Sequence, residues 1–331
     1  MQEPTLRDVF KVSWKLTKNY KGLWILGAFA LVLGQLGILD VITAVVKGVV
    51  PGAASPGSQV WYIFSPDTLL QIGNTLGFSF DSWAALAWLL VMILALGIAF
   101  IVVGSIAQGG MVHATALSME HGLKSMEKFE ESWHAGARSV SHILVLNIVK
   151  KCIIFAVSLI VSASAFAALF FGTGGSTAVF ILSFVSAVIV GMTVSVLTIF
   201  AVGYLVIEKK DLFGAIRHAW KLLIKHWVVS FEVGIVLVLL NLLVFVLLLA
   251  GLYVFVAPSL ALSAYGALTG NIAISQFGVS IAVVLFLAYA LIIGSIFTVF
   301  VNATWTYLFV IMHRWGLRSR VHAWITDFKR S

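Results

Sequence analysis

Apolar residues gather into six long runs along the chain, at about 23–50, 83–107, 142–171, 177–208, 227–257 and 281–310. A helix needs about 20 apolar residues to cross the hydrocarbon core of a bilayer, and every run meets that length. Several exceed it, which predicts tilt or extension of the helix past the lipid. Backbone N–H and C=O groups in lipid must find partners within the chain, so continuous runs predict helices. A transmembrane barrel would instead show short segments of alternating polarity. The prolines stand outside the runs: Pro4 in the leading tail, Pro51, Pro56 and Pro66 in the first connection, and Pro258 at the start of the last. Helices free of internal Pro keep their hydrogen-bond ladders intact.

The polar positions have a pattern of their own. FKVSW (10–14), FEESW (129–133) and the looser IRHAW (216–220) each precede an apolar run, which starts about nine residues after the Trp. On a helical wheel Arg7, Lys11, Lys15 and Lys18 share one face. Leu6, Val9, Phe10, Ser13, Leu16 and Tyr20 fall opposite, with Trp14 at the boundary. In the third copy Arg217, Lys221 and Lys225 repeat at i, i+4, i+8, while Leu212, Ile216, Trp220 and Leu223 face away. The middle copy keeps Met126, Phe129, Trp133 and Val140 apolar but carries Glu127, Glu130 and Glu131. A basic amphipathic helix of this kind lies in a membrane interface, with its Trp at headgroup depth. The plainer reading is a helix packed on its neighbours, and the acidic middle copy favours that.

These phrases imply three tandem units, at about 1–107, 108–208 and 209–310. Each holds an amphipathic helix and a pair of membrane helices. The C-terminal stretch 311–331 reads as one more amphipathic helix, with Leu317, Val321, Trp324, Ile325 and Phe328 on one stripe among basic residues.

Charge sets the orientation. Of the 21 Lys and Arg, all but Lys47, Lys150 and Lys151 lie in 1–22, 108–141, 209–226 and 311–331. The intervening connections 51–82, 172–176 and 258–280 hold none. Basic residues stay on the cytoplasmic side, so both termini are expected in the cytoplasm of a cell whose plasma or inner membrane carries the chain. The first apolar run is about 28 residues, against about 7–15 in a signal peptide, and GAAS at 52–55 is a weak cleavage pattern. That run is therefore expected to be retained.

Composition agrees with the pattern. Hydrophobic residues make up 61% and charged residues 10%, whereas a soluble domain carries about 25% charged. The net charge of +8 sits in flanks of apolar runs, and no RNA- or DNA-binding motif accompanies it, so nucleic acid is not an expected partner. Membrane lipids with anionic headgroups on the cytoplasmic leaflet are, together with a protein partner or a second copy. The single cysteine, Cys152, is expected to be buried and inert.

Ionisable groups inside a span cost roughly 2.5–3.5 kcal/mol on insertion scales, so the polar residues there are candidates. They are Asp40, Asn147, Lys150, Lys151, Glu232 and Asn241. Glu232 could pair with Lys150 or Lys151 if the third and fifth spans touch, giving a polar path. The alternative is snorkelling, with the third span starting at Cys152. Glu208, Lys209, Lys210 and Asp211 read as a stop at the end of the fourth span. Gly97, Gly104, Gly191, Ser195 and Gly203 offer close helix contact.

The chain has no phosphate-binding Gly-rich loop, no HExxH and no GxSxG, motifs that carry nucleotide, zinc and serine-hydrolase chemistry. His113, His121, His134 and His142 gather in the central segment expected on the cytoplasmic side, but their spacing suits surface positions better than a metal, which wants three or four close ligands. No catalytic residue, cofactor or metal is expected.

The stretches PTLRDVFKVSWKLTKNYKGLWILGAFALVLG (4–34), IAQGGMVHATALSMEHGLKSMEKFEESWHAG (106–136) and VIEKKDLFGAIRHAWKL (206–222) resemble bacterial multi-pass proteins related to the membrane domain of glycerophosphoryl diester phosphodiesterase. The resemblance implies a shared membrane fold. The soluble hydrolase domain is missing from this chain, so it implies no catalytic residues. The expectation is an all-α six-span protein that organises lipids or partners. A small transporter or channel is the alternative, and a lipid-processing enzyme is the third.

Overall fold

The computed structural model describes residues 6–31, 83–121, 129–172 and 174–314. They form α1 (Leu6–Asn19), α2 (Gly22–Leu31), α3 (Trp83–His121), α4 (Phe129–Arg138), α5 (Val140–Phe171), α6 (Gly174–Val206), α7 (Leu212–Lys225), α8 (Trp227–Leu268) and α9 (Ile272–Arg314). Five of these, α3, α5, α6, α8 and α9, are long and apolar enough to cross a bilayer, the pattern of a multi-pass membrane protein. α2 carries the start of the first apolar run. The remainder of that run with Asp40, the connection 51–82 and the C-terminal stretch with Trp324 lie outside the described residues.

Boundaries differ from expectation at the last connection. α8 continues through Pro258 to Leu268, and α9 begins at Ile272. Phe255, Val256 and Ala257 precede the proline, and Ser259, Leu260 and Ala261 follow it; the helix carries on through this largely apolar stretch at the loss of one N–H donor. Residues 311–314, expected in a separate amphipathic helix, form the last turn of α9. α5 ends at Gly172, whose φ of 58° places it in the left-handed region; its N–H bonds to the Ala168 carbonyl at 3.2 Å. Glycine adopts that conformation without a Cβ penalty.

The described helices divide into two units. The first contains Met1–Leu26, Ser105–Leu239 and Val299–Ser331; the second contains Gly27–Gly104 and Leu240–Thr298. In the first unit α5 packs on α6, α6 on α7 and α4 on α5. Its core holds Val9, Leu16 and Leu26 from α1 and α2, Ala107 and Met111 from α3, and Ile143 from α5. Phe200 and Val202 of α6, Ala215 and Ala219 of α7, and Leu308 and Phe309 of α9 complete it. These come mostly from the ends of the long helices nearest the basic segments. Farther along, α5 and α6 face outward: only 6% of each apolar window is buried.

Close backbone approach in this unit centres on three glycines. A Cβ on Gly136 would collide with the Ile106 carbonyl oxygen and sit 2.7 Å from the Gly110 nitrogen. One on Gly110 would sit 2.9 Å from the Ser132 carbonyl, and one on Gly109 3.0 Å from the Gly136 Cα. A Cβ on Gly203 would sit 3.0 Å from the Phe309 ring. Gly97 and Gly191, expected at helix contacts, have open space where a Cβ would stand, with nothing within 4 Å.

The second unit is built from α8 and α9 with the outer part of α3. Val244, Leu248, Ala282, Phe286 and Ala290 are buried in it. Tyr289 stacks close on Gly251, and its hydroxyl donates to the Leu247 carbonyl at 2.8 Å. That bond satisfies a polar group that lipid would leave unpaired.

Candidate functional site

The three Trp-ended phrases adopt one local geometry. α1, α4 and α7 each stop five residues after the Trp, at Asn19, Arg138 and Lys225. A short elbow follows, at Tyr20 and Lys21, at Ser139, and at His226, before the next helix begins. The residue just before each Trp is small and buried: Ser13, Ser132 and Ala219. Small residues let helices approach closely, so this position seats each of the three short helices.

Matching positions in α1 and α7 share their burial. Val9 and Ala215 are both inaccessible, as are Ser13 and Ala219, and Leu16 and Leu222 are nearly so. Trp14 remains 55% exposed and Trp220 47%. The protein-facing stripe of α7 is therefore Ala215, Ala219 and Leu222, narrower than its apolar face. Phe213, Trp220 and Ile224 point outward next to exposed Arg217, Lys221 and Lys225. On α1, Arg7, Lys11, Lys15 and Lys18 are exposed. Phe10 and Trp14 contact the Phe300 ring, with centroids at 6.3 and 5.9 Å. Trp133 is half-buried, in keeping with a middle copy that packs on protein.

The intramembrane candidates scatter. Asn147 is buried and donates its side-chain amide to Gln108 Oε1 at 2.9 Å. Lys150 is half-buried and Lys151 exposed. No salt bridge joins either to Glu232, whose Oε2 is buried without a hydrogen-bond partner. Asn241 is half-buried. Cys152 is exposed, contrary to expectation: among the described residues, no helix covers its part of α5.

The densest group of polar side chains was not anticipated. Tyr204, 3% exposed, sits at the end of α6. Its hydroxyl lies 3.3 Å from His313 Nδ1, and His313 Nε2 lies 3.2 Å from Glu208 Oε1. The Tyr204 ring meets Phe309 edge-on at 4.9 Å, His218 at 5.6 Å and the Lys210 ammonium at 5.1 Å. The turn after α6 makes this possible. The Lys210 N–H bonds back to the Tyr204 carbonyl at 3.2 Å, and Lys209 takes a left-handed φ of 51°. The chain thus turns back over the helix end with Lys in a conformation where glycine is usual. Asp211 then caps α7, its Oδ2 accepting from the Gly214 N–H at 3.2 Å. The "stop" residues 208–211 are thus a turn and a cap; the Asp followed by helical periodicity was the readable signal.

The cluster orients a hydroxyl, an imidazole and a carboxylate in line, but Tyr204 is buried beneath the others. It holds three helix ends together. Among the described residues, no three His, Cys, Asp or Glu side chains approach closely enough to hold a metal ion. No family model, curated protein or solved structure matches the chain.

Proposed function

We propose that this protein is a multi-pass membrane module that organises lipids or partner proteins at the headgroup layer without catalysing a reaction. It is read as six spans in three tandem units, each introduced by an interfacial helix, with both termini in the cytoplasm. The observation that carries this is α7. It is held down by Ala215, Ala219 and Leu222, yet presents Phe213, Trp220 and Ile224 outward beside Arg217, Lys221 and Lys225. Aromatic and aliphatic side chains beside basic ones suit the boundary between acyl chains and anionic headgroups. Each basic residue there adds about 1 kcal/mol of attraction to an anionic leaflet. The shared elbow after Trp14, Trp133 and Trp220 supports the three-unit reading, and resemblance to the membrane domain of glycerophosphoryl diester phosphodiesterase fits it. The test replaces Lys11, Lys15, Lys221 and Lys225 by Gln in the full chain. Less anionic lipid should co-purify with the protein while insertion is unchanged; equal retention overturns the proposal.

A second reading, transport along a polar path, is favoured by the buried, unpartnered Glu232 Oε2. Ion or solute flux in proteoliposomes that vanishes in Glu232→Gln would select it.

A further inference from the structure

The outer part of the α5–α6 hairpin has a groove of about 380 Å³, lined by Ile154, Val157, Val161, Phe184, Val188 and Gly191 among others. That volume is at the low end of small-molecule sites, which span about 300–1,000 Å³. The lining is apolar, and the helices around it are hardly buried, so in a bilayer the groove opens onto lipid. Lys150 precedes Ile154 by one helical turn, and Lys151 precedes the lining residue Ser158 by two, so both stand on the groove face of α5. Helical side chains lean toward the N-terminus of their helix, which carries these ammonium groups away from the groove toward the Val140 end. The segment from Cys152 to Phe171 is about 20 residues and ~30 Å long, the thickness of a hydrocarbon core. Lys150 and Lys151 therefore fall at the edge of the acyl layer, where lipid phosphates lie. No described carboxylate pairs with either.

We infer that this face is a binding site for one anionic phospholipid, with an acyl chain in the groove and its phosphate between Lys150 and Lys151. An apolar slot and two adjacent uncompensated cations at headgroup depth match the two parts of such a lipid. The site is separate from the basic faces of α1 and α7, so it stands or falls independently of the proposed function.

The test uses the full chain in detergent, incubated with phosphatidylglycerol or with phosphatidylcholine of the same acyl chains. Native mass spectrometry reads the lipid retained. Wild-type protein should hold phosphatidylglycerol in preference, by about thirtyfold from two interfacial lysines. K150Q/K151Q should abolish the preference when made together with K11Q/K15Q/K221Q/K225Q, where the basic faces of α1 and α7 no longer contribute. Ser158→Trp, which fills the groove from an exposed position, should release both lipids. K221Q/K225Q should leave retention at this site intact, which separates it from the α7 surface. The inference is overturned if the preference survives K150Q/K151Q in that background or if Ser158→Trp changes nothing. It is also overturned if Ser158→Trp converts a dimer to a monomer, because a second copy then occupies the groove.

Discussion

Asn147 and Gln108, 39 residues apart, join α5 to α3 through one amide–amide hydrogen bond of 2.9 Å that is buried from solvent. Each supplies the other with a partner that the apolar surroundings lack. Removing one leaves the other unsatisfied, at about 1–3 kcal/mol. Asn147→Leu and Gln108→Leu should each lower the melting temperature in detergent. The double variant should be less destabilised than the sum, and strictly additive effects would show that the bond is not made.

Gly136 lies where α4 crosses α3 with backbone against backbone. Any side chain there has to push the Ile106 carbonyl and the Gly110 nitrogen apart, and overpacking costs typically 1–3 kcal/mol or more. Gly136→Ala should therefore reduce stability and yield markedly. Gly97→Ala, with open space around it, should be neutral or slightly stabilising. Thermal melts of the two variants side by side check the contrast.

Lys209 holds a left-handed backbone at φ 51°, a conformation that costs an L-residue with a Cβ about 1 kcal/mol. Lys209→Gly should relieve that strain and raise stability by up to about 1 kcal/mol in spite of losing a charge. A variant less stable than wild type would mean that the Lys209 side chain makes a compensating contact. Asp211→Ala, next to it, should cost about 1 kcal/mol through loss of the α7 cap.

At the Tyr204 cluster the contributions separate by burial. Tyr204→Phe keeps the ring against Phe309 and forfeits only the hydroxyl contact with His313, about 0.5–1.5 kcal/mol. Tyr204→Ala opens a cavity and should cost about 3–5 kcal/mol. Glu208 and His313 are each about a third exposed, so Glu208→Gln should change stability by less than about 1 kcal/mol. Chemical denaturation in mild detergent would rank the three. A Glu208→Gln effect as large as that of Tyr204→Ala would reveal a much less screened pair.

The long apolar runs made the helical membrane class legible before any coordinates, because lipid demands internal hydrogen bonding over a fixed thickness and leaves no other continuous solution. The recurring Trp phrases likewise fall in three short helices, α1, α4 and α7, since which residues share a helix face depends only on 3.6 residues per turn. Which part of each face meets protein was a different matter. On α7 the buried stripe is the small residues Ala215 and Ala219, while Trp220 points outward, and hydrophobicity does not distinguish an apolar residue seated on a neighbour from one facing lipid. The same ambiguity misplaced Cys152, Gly97 and Gly191. Pro258 read as a boundary, but α8 runs through it at the loss of one donor. Gly109, Gly110 and Gly136, the Asn147–Gln108 bond and the Tyr204–His313–Glu208 group all depend on pairs distant in sequence. Only the packing of one helix on another decides which of those positions come within contact distance.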